Sequence, residues 1–546
     1  MSILAPHEST AVTMYATTVA GGCDGPGRSA RGCSSSTLRS RVEGDCLLTV
    51  RGYHHGVANR LSPREAMSYF LDGAGATNHL GAVLVFAGDS GKKRSAAKDL
   101  ATTRVRGKKS EPPVLDYPSL VRLVENRLQL VPLYRKVVLE VVLGLARPVW
   151  ADDPDFDINF HIRRSGLPSP GTMADLEDLV ARVMSRPLDR SRPLWEMYLI
   201  EGLEDGGFAI LTKSHRCLID GGGAEMSEVI CDDEPDAASL PVDVWMPGPP
   251  PGSTSLAVNA LAEALARPGE LIDSVIGGNG LLGEARSVVV GTFRRAGRLV
   301  QQLTDSAPSS LLNATGSSTR TFVSASVSRR DVAKIAERNE CTVNDVELAI
   351  ITGAMRLWLL STGAEGDFGD TVRAVLPLGS RQSGVLAHEE SPETWIVTDE
   401  PRFVTDLPVG EANPLVRLAQ VAGLANRYAQ SSRRVSRAAE PLLGELGVVP
   451  FAEFSSRAFR SLDRRAYNVP VAMNTVPIPP QYVLGRTVSD LFVVPGLVAG
   501  RAMAVGVCEY AGRIEFGFTA DRGVIDDLAL IRDYVRESYE ELADAR

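Results

Sequence analysis

The sequence predicts an α/β protein, in the broader α+β sense, built as two units. The 546-residue chain is too long for one ordinary domain. Strand-like and helix-like periods interleave in both halves. Between them, the proline cluster MPGPPPGS at 246–253 cannot sit inside a helix or a central strand, so it marks a junction. The expected layout is a disordered N-terminal extension over 1–58, a first unit over 59–235, a proline-rich linker with a helical crossover over 236–319, and a second unit over 320–546.

Composition narrows the function. An apolar content of 44% and a net charge of −9 describe a globular chain. They argue against a nucleic-acid partner, because phosphate binding requires a basic surface. Seven cysteines with no C-x-x-C spacing make neither a disulfide framework nor a zinc site, which points to a reducing cytoplasm. The N-terminus lacks a basic stretch followed by an apolar one, so no secretory signal is expected. No apolar run reaches the roughly 18 residues that a membrane span needs. Peripheral attachment stays open.

In chain order, residues 1–58 are rich in Gly, Ser, Thr and Arg without sustained periodicity, and the adjacent His54 and His55 have no acidic-glycine turn after them. Ser62 is placed to cap a short helix starting at Pro63, ahead of a strand from His79. Between Gly88 and Glu111 eight Lys/Arg stand against three acids, the pattern of a solvated loop or, less simply, a phosphate site. Helical spacing follows from Tyr117, a strand from Val137 and a helix from Asp175. Strands starting at Trp195 and Phe208 are expected to pair antiparallel. Beyond the junction, 285–303 carries an apolar face with Arg286, Arg294, Arg295 and Arg298, suited to covering the other unit or lying on an anionic membrane. The second unit opens with the strand TFVSASVS and a long helix from Val343, which Thr342 or Asn344 can cap. It closes with a hairpin around Tyr510–Arg513 and an amphipathic helix starting near Val524.

The chemistry concentrates in residues 208–231, FAILTKSHRCLIDGGGAEMSEVIC, where an apolar strand, a polar turn and an opening helix meet. The turn resembles the HHxxxDG motif of the coenzyme A-dependent acyltransferase superfamily. His215 falls on the first histidine, Arg216 on the second, and Asp220 and Gly221 on the acidic-glycine pair. Other segments resemble the bacterial wax ester synthase/diacylglycerol acyltransferase family. They are LSPREAMSYFLDG, the RPLW stretch with Arg190, Arg192, Pro193, Leu194 and Trp195, NDVELA, PRFVTDLPVGEANPLVRLAQV, and PVAMNTVPIPPQY, which is similar to SNVPGP except for Ile478 in place of a glycine.

The resemblance implies two chloramphenicol-acetyltransferase-like subdomains with the active-site channel between them. It implies an acyl-CoA-dependent O-acyltransferase making triacylglycerol from diacylglycerol, or a wax ester from a fatty alcohol. Acyl-CoA is then a substrate, no metal or organic cofactor is needed, and the protein is expected in the cytoplasm, peripheral to membrane or lipid droplets. In the family the second histidine is the general base and the acidic residue organises the turn, with Arg381 the candidate partner here. Candidate catalytic positions are therefore His215, Arg216, Asp220 and Gly221. Candidate substrate contacts are Asn474 and Trp195, the tryptophan also suiting a core.

Arg216 cannot act as the base, because a guanidinium stays protonated and has no lone pair to offer. It suits a carboxylate, a phosphate or an oxyanion. In an extended strand His215 faces away from whatever position 216 faces, so only a bulge would bring it round; otherwise it is a packed histidine tying the turn to its surroundings. Ser214 and Cys217 have no histidine placed by sequence to activate them. His79, His161 and His388 are isolated and lack metal-ligand spacing.

Overall fold

The computed structural model describes residues 60–70, 72, 77–88, 115–141, 147–220, 225–237, 240, 244–252, 255–256, 307–308, 310–314, 316–362, 370–377, 402–430, 434–435, 467–473, 477–498 and 500–545. The expected 1–58 extension, His54, His55, most of the basic 88–111 segment, the arginine-bearing 285–303 segment and His388 lie outside the described residues. In chain order the strands are β1 (His79–Phe86), β2 (Lys136–Leu139), β3 (Val149–Asp152), β4 (Ile162–Gly166), β5 (Trp195–Glu201), β6 (Phe208–His215), β7 (Arg320–Ser328), β8 (Val372–Pro377), β9 (Arg402–Leu407), β10 (Arg434–Val435), β11 (Val469–Met473), β12 (Tyr482–Val483), β13 (Arg486–Thr487), β14 (Asp490–Val494), β15 (Met503–Tyr510) and β16 (Arg513–Asp521).

Each half of the chain builds one large sheet, which bears out the mixed α/β expectation. The first sheet has the order β14-β1-β6-β5-β4 and the second β10-β9-β8-β11-β15-β16-β7. Helices cover them because their ends are capped locally and their apolar stripes face inward. Thr172 and Asp175 form a reciprocal capping box on Met173–Met184, and Thr342 and Asp345 form another on Val343–Ser361. The second of these helices is enclosed along most of its length against the second sheet, with Val346, Ile350, Trp358 and Leu359 in one core. Met173–Met184 lies on the first sheet through Leu176, Val180 and Val183. It also ties the two sheets together, because Glu177 Oε1 accepts from the amide and hydroxyl of Ser324 on β7.

The halves are not cut cleanly along the chain. Strand β14, within the expected second unit, pairs antiparallel with β1 at the edge of the first sheet. On the way it crosses the face of the second sheet at Gly506 and Gly517, which sit opposite each other on β15 and β16. A Cβ at Gly517 would stand 2.1 Å from the Val493 carbonyl oxygen, and one at Gly506 3.0 Å from the Val493 side chain. The crossing therefore requires residues without side chains.

Candidate active site

The site grows from the exit of β6. Its side chains alternate: Thr212 and Ser214 face one side, Lys213 and His215 the other. His215 is the last residue of the ladder, opposite His79 on β1. Its amide donates to Leu194 O at 2.9 Å, and the next amide, Arg216 N, donates to Asn78 O at 2.8 Å. The chain then rolls directly into a short helix, Arg216–Asp220. Sequence reasoning expected a turn here. The helix starts early because the His215 imidazole supplies an acceptor for its first turn: Cys217 N donates to Nδ1 at 3.1 Å.

That bond fixes the tautomer. With Nδ1 accepting, the ring proton sits on Nε2, which donates to Asp72 Oδ2 at 3.1 Å. Both nitrogens of His215 are thus engaged, and the side chain is only 1% exposed. Asp72 is held in turn. Its Oδ1 accepts from Asn78 N at 2.7 Å. Arg190 Nη2 donates to Tyr69 O at 3.0 Å and reaches Asp72 Oδ2 at 3.4 Å, with its guanidinium 4.3 Å from the Tyr69 ring centroid. Burial pushes the Asp72 carboxyl up, but His215 and the Asn78 amide outweigh it and hold it down at about 2.

The arginines of the RPLW stretch therefore work as fasteners. Arg190 grips Tyr69 and Asp72, while Arg192 Nη1 donates to Asp155 O at 2.6 Å. Trp195, a candidate substrate contact that also suits a core, is fully enclosed. Its indole N–H donates to Tyr134 O at 2.8 Å and its ring stacks on His161 with centroids 4.5 Å apart. His161 is buried between Trp195 and Phe156, with Nδ1 2.8 Å from Trp195 O, and burial pushes it down to about 4. Ser214 and Cys217 are enclosed on the same face, with Ser214 Oγ 3.3 Å from the Tyr134 hydroxyl. Neither is placed as an exposed nucleophile.

Arg216 is half-buried at the start of its helix, and Asp220 ends that helix. The Asp220 side chain, Gly221, Arg381 and Asn474 lie outside the described residues.

Two groups escaped sequence reasoning. Glu225, fully buried just after the glycines, caps Met226–Ile230 by accepting from Ser227 N at 2.7 Å; burial pushes its carboxyl up. His79, expected to be isolated, has its ring 5.8 Å from that of His215 and is 2% exposed. Its Nδ1 is enclosed with no hydrogen-bond partner among the described residues. On the same face, Lys213 Nζ donates to Val183 O at 2.9 Å and to Arg186 O, finishing the helix Met173–Met184, and burial lowers its ammonium to about 8.

Comparisons with known proteins bear on family and fold. Residues 61–347 match the family model described as the wax ester synthase/diacylglycerol acyltransferase catalytic domain, and residues 403–543 match that of the WS/DGAT C-terminal domain. The chain is 44% identical over 239 residues to a Mycobacterium tuberculosis protein named probable diacylglycerol O-acyltransferase tgs3, covering 42% of this chain and 84% of that one. It is 31% identical over 389 residues to the probable diacylglycerol O-acyltransferase tgs1 of the same organism, covering 70% and 78%. In fold it is similar to the wax ester synthase/diacylglycerol acyltransferase from Marinobacter aquaeolei VT8, with a TM-score of 0.60 at 22% identity over 89% of this chain and 98% of that one.

Proposed function

Because the chain belongs to the wax ester synthase/diacylglycerol acyltransferase family, we propose that it transfers a long-chain acyl group from a coenzyme A thioester to diacylglycerol or a fatty alcohol. The observation that carries this reading is the braced strand exit. Asp72, Arg190 and Asn78 hold His215 and the start of Arg216–Asp220 in one arrangement, and acyl transfer depends on such pre-organisation.

The reaction needs a proton acceptor for the hydroxyl, donors for the tetrahedral oxyanion and a site that excludes water. In this reading Arg216 supplies positive charge to the thioester oxyanion or to a phosphate of coenzyme A. By the family resemblance, Asp220 and Gly221 take the motif's acidic-glycine positions and Asn474 is a candidate substrate contact. The chemistry runs without a metal or organic cofactor. The protein works in the cytoplasm on lipid at a membrane or droplet surface. Among the described residues, no helix is long and apolar enough to cross a membrane.

A second reading is favoured by one specific observation: position 216 is arginine, and both nitrogens of His215 are already bonded. In that reading the protein binds acyl-CoA without turning it over. Palmitoyl-CoA titration combined with a coenzyme A release assay separates the two. Transfer by the wild type supports the enzyme. Tight binding with no release, and release appearing only in Arg216→His, supports the binding protein.

A further inference from the structure

Granting the acyltransferase reading, on which this rests, the reaction needs a proton acceptor that neither Arg216 nor His215 provides. We propose that His79 is that acceptor, taking the proton of the lipid alcohol on its Nδ1.

Three placements carry the assignment. His79 sits opposite His215 in the β1–β6 ladder, and the neighbouring carbonyl, Asn78 O, accepts the amide of Arg216, so its backbone adjoins the second motif position. At this strand exit His215 has both nitrogens bonded, whereas His79 keeps an enclosed Nδ1 with no partner among the described residues. A buried polar atom left unbonded is costly, so its presence here calls for a use.

The electrostatics fit a neutral acceptor. Burial holds His79 well below the ordinary histidine value, and the cations facing it, Lys213 and Arg320, act the same way. Asp72 opposes them and favours the imidazolium once it forms. As the alcohol oxygen bonds to the thioester carbonyl carbon, its proton passes to Nδ1. When the intermediate collapses, the carbon–sulfur bond breaks and the same proton passes to the departing thiolate, giving ester and free coenzyme A. Asp72 thus braces His215 through a hydrogen bond and His79 through charge.

The test uses the purified full chain with palmitoyl-CoA and either hexadecanol or a diacylglycerol, reading free coenzyme A. His79→Gln is expected to lower kcat by about 100-fold or more, with KM and melting temperature close to wild type. Imidazole added to His79→Gly is expected to restore part of the lost rate, which a purely structural role would not allow. Wild-type rates in His79→Gln overturn the assignment. So does a loss that tracks unfolding and that imidazole does not reverse. A silent wild type defeats the acyltransferase reading itself and the assignment with it, whereas an active wild type with an active His79→Gln defeats the assignment alone.

Discussion

His215 Nε2 donates to Asp72 Oδ2 at 3.1 Å across 143 positions of sequence, and the opposite ring nitrogen caps the helix that begins one residue later. A single imidazole thereby joins the N-terminal segment, the end of β6 and the motif helix. This is a brace, and removing either end loosens the site.

Asp72→Ala leaves the His215 Nε2–H buried without an acceptor, at a cost of about 1–3 kcal/mol. Urea denaturation is expected to show that loss, together with a fall in acyl transfer. Stability equal to wild type would mean that water replaces the carboxylate.

His161 gives stability a pH dependence. Its folded value, about 4, lies below the ordinary 6.5, so between these values the unfolded chain binds the extra proton. This contribution is complete above 6.5 and is lost as pH falls toward 4. His161→Phe keeps the stacking on Trp195 but removes the titration. It is expected to flatten the pH dependence of the denaturation midpoint in that window, and an unchanged slope would rule this out.

The glycine pair under β14 gives an ordered result. Alanine normally gains about 0.5–1 kcal/mol over glycine inside a strand. At Gly517 the added Cβ meets the Val493 carbonyl at 2.1 Å, and at Gly506 it meets a side chain at 3.0 Å. Gly517→Ala is therefore expected to melt lower than Gly506→Ala. The reverse order would show that β14 shifts freely.

Trp195→Ala removes an enclosed indole and is expected to cost about 3–5 kcal/mol. Trp195→Phe, which keeps most of the packing, is expected to retain the wild-type KM for acyl-CoA. A raised KM in a stably folded Trp195→Phe would make the tryptophan a substrate contact.

Local signals were the legible ones. Thr342 or Asn344 reads as a cap from residue type alone, and the structure selects Thr342 through Asp345 three residues on; the alternation of β6 is visible because its period is two. The paired strands β15 and β16 announce themselves through a short turn. What escaped was non-local. Nothing near Asp490–Val494 tells that this strand leaves its own half to pair with β1, although glycines inside the apolar strands β15 and β16 mark a close backbone approach. The helix Arg216–Asp220 was missed because a side chain of the preceding strand caps it. His79 looked isolated because its neighbour, His215, is brought beside it only by strand register.

Product analysis reads acyl transfer itself. Purified wild-type protein is incubated with acyl-labelled palmitoyl-CoA and either a diacylglycerol or hexadecanol, and the lipids are separated. Label is expected in triacylglycerol or wax ester, formed in step with free coenzyme A. Label that stays entirely in acyl-CoA, with the protein folded and the thioester bound, would contradict it.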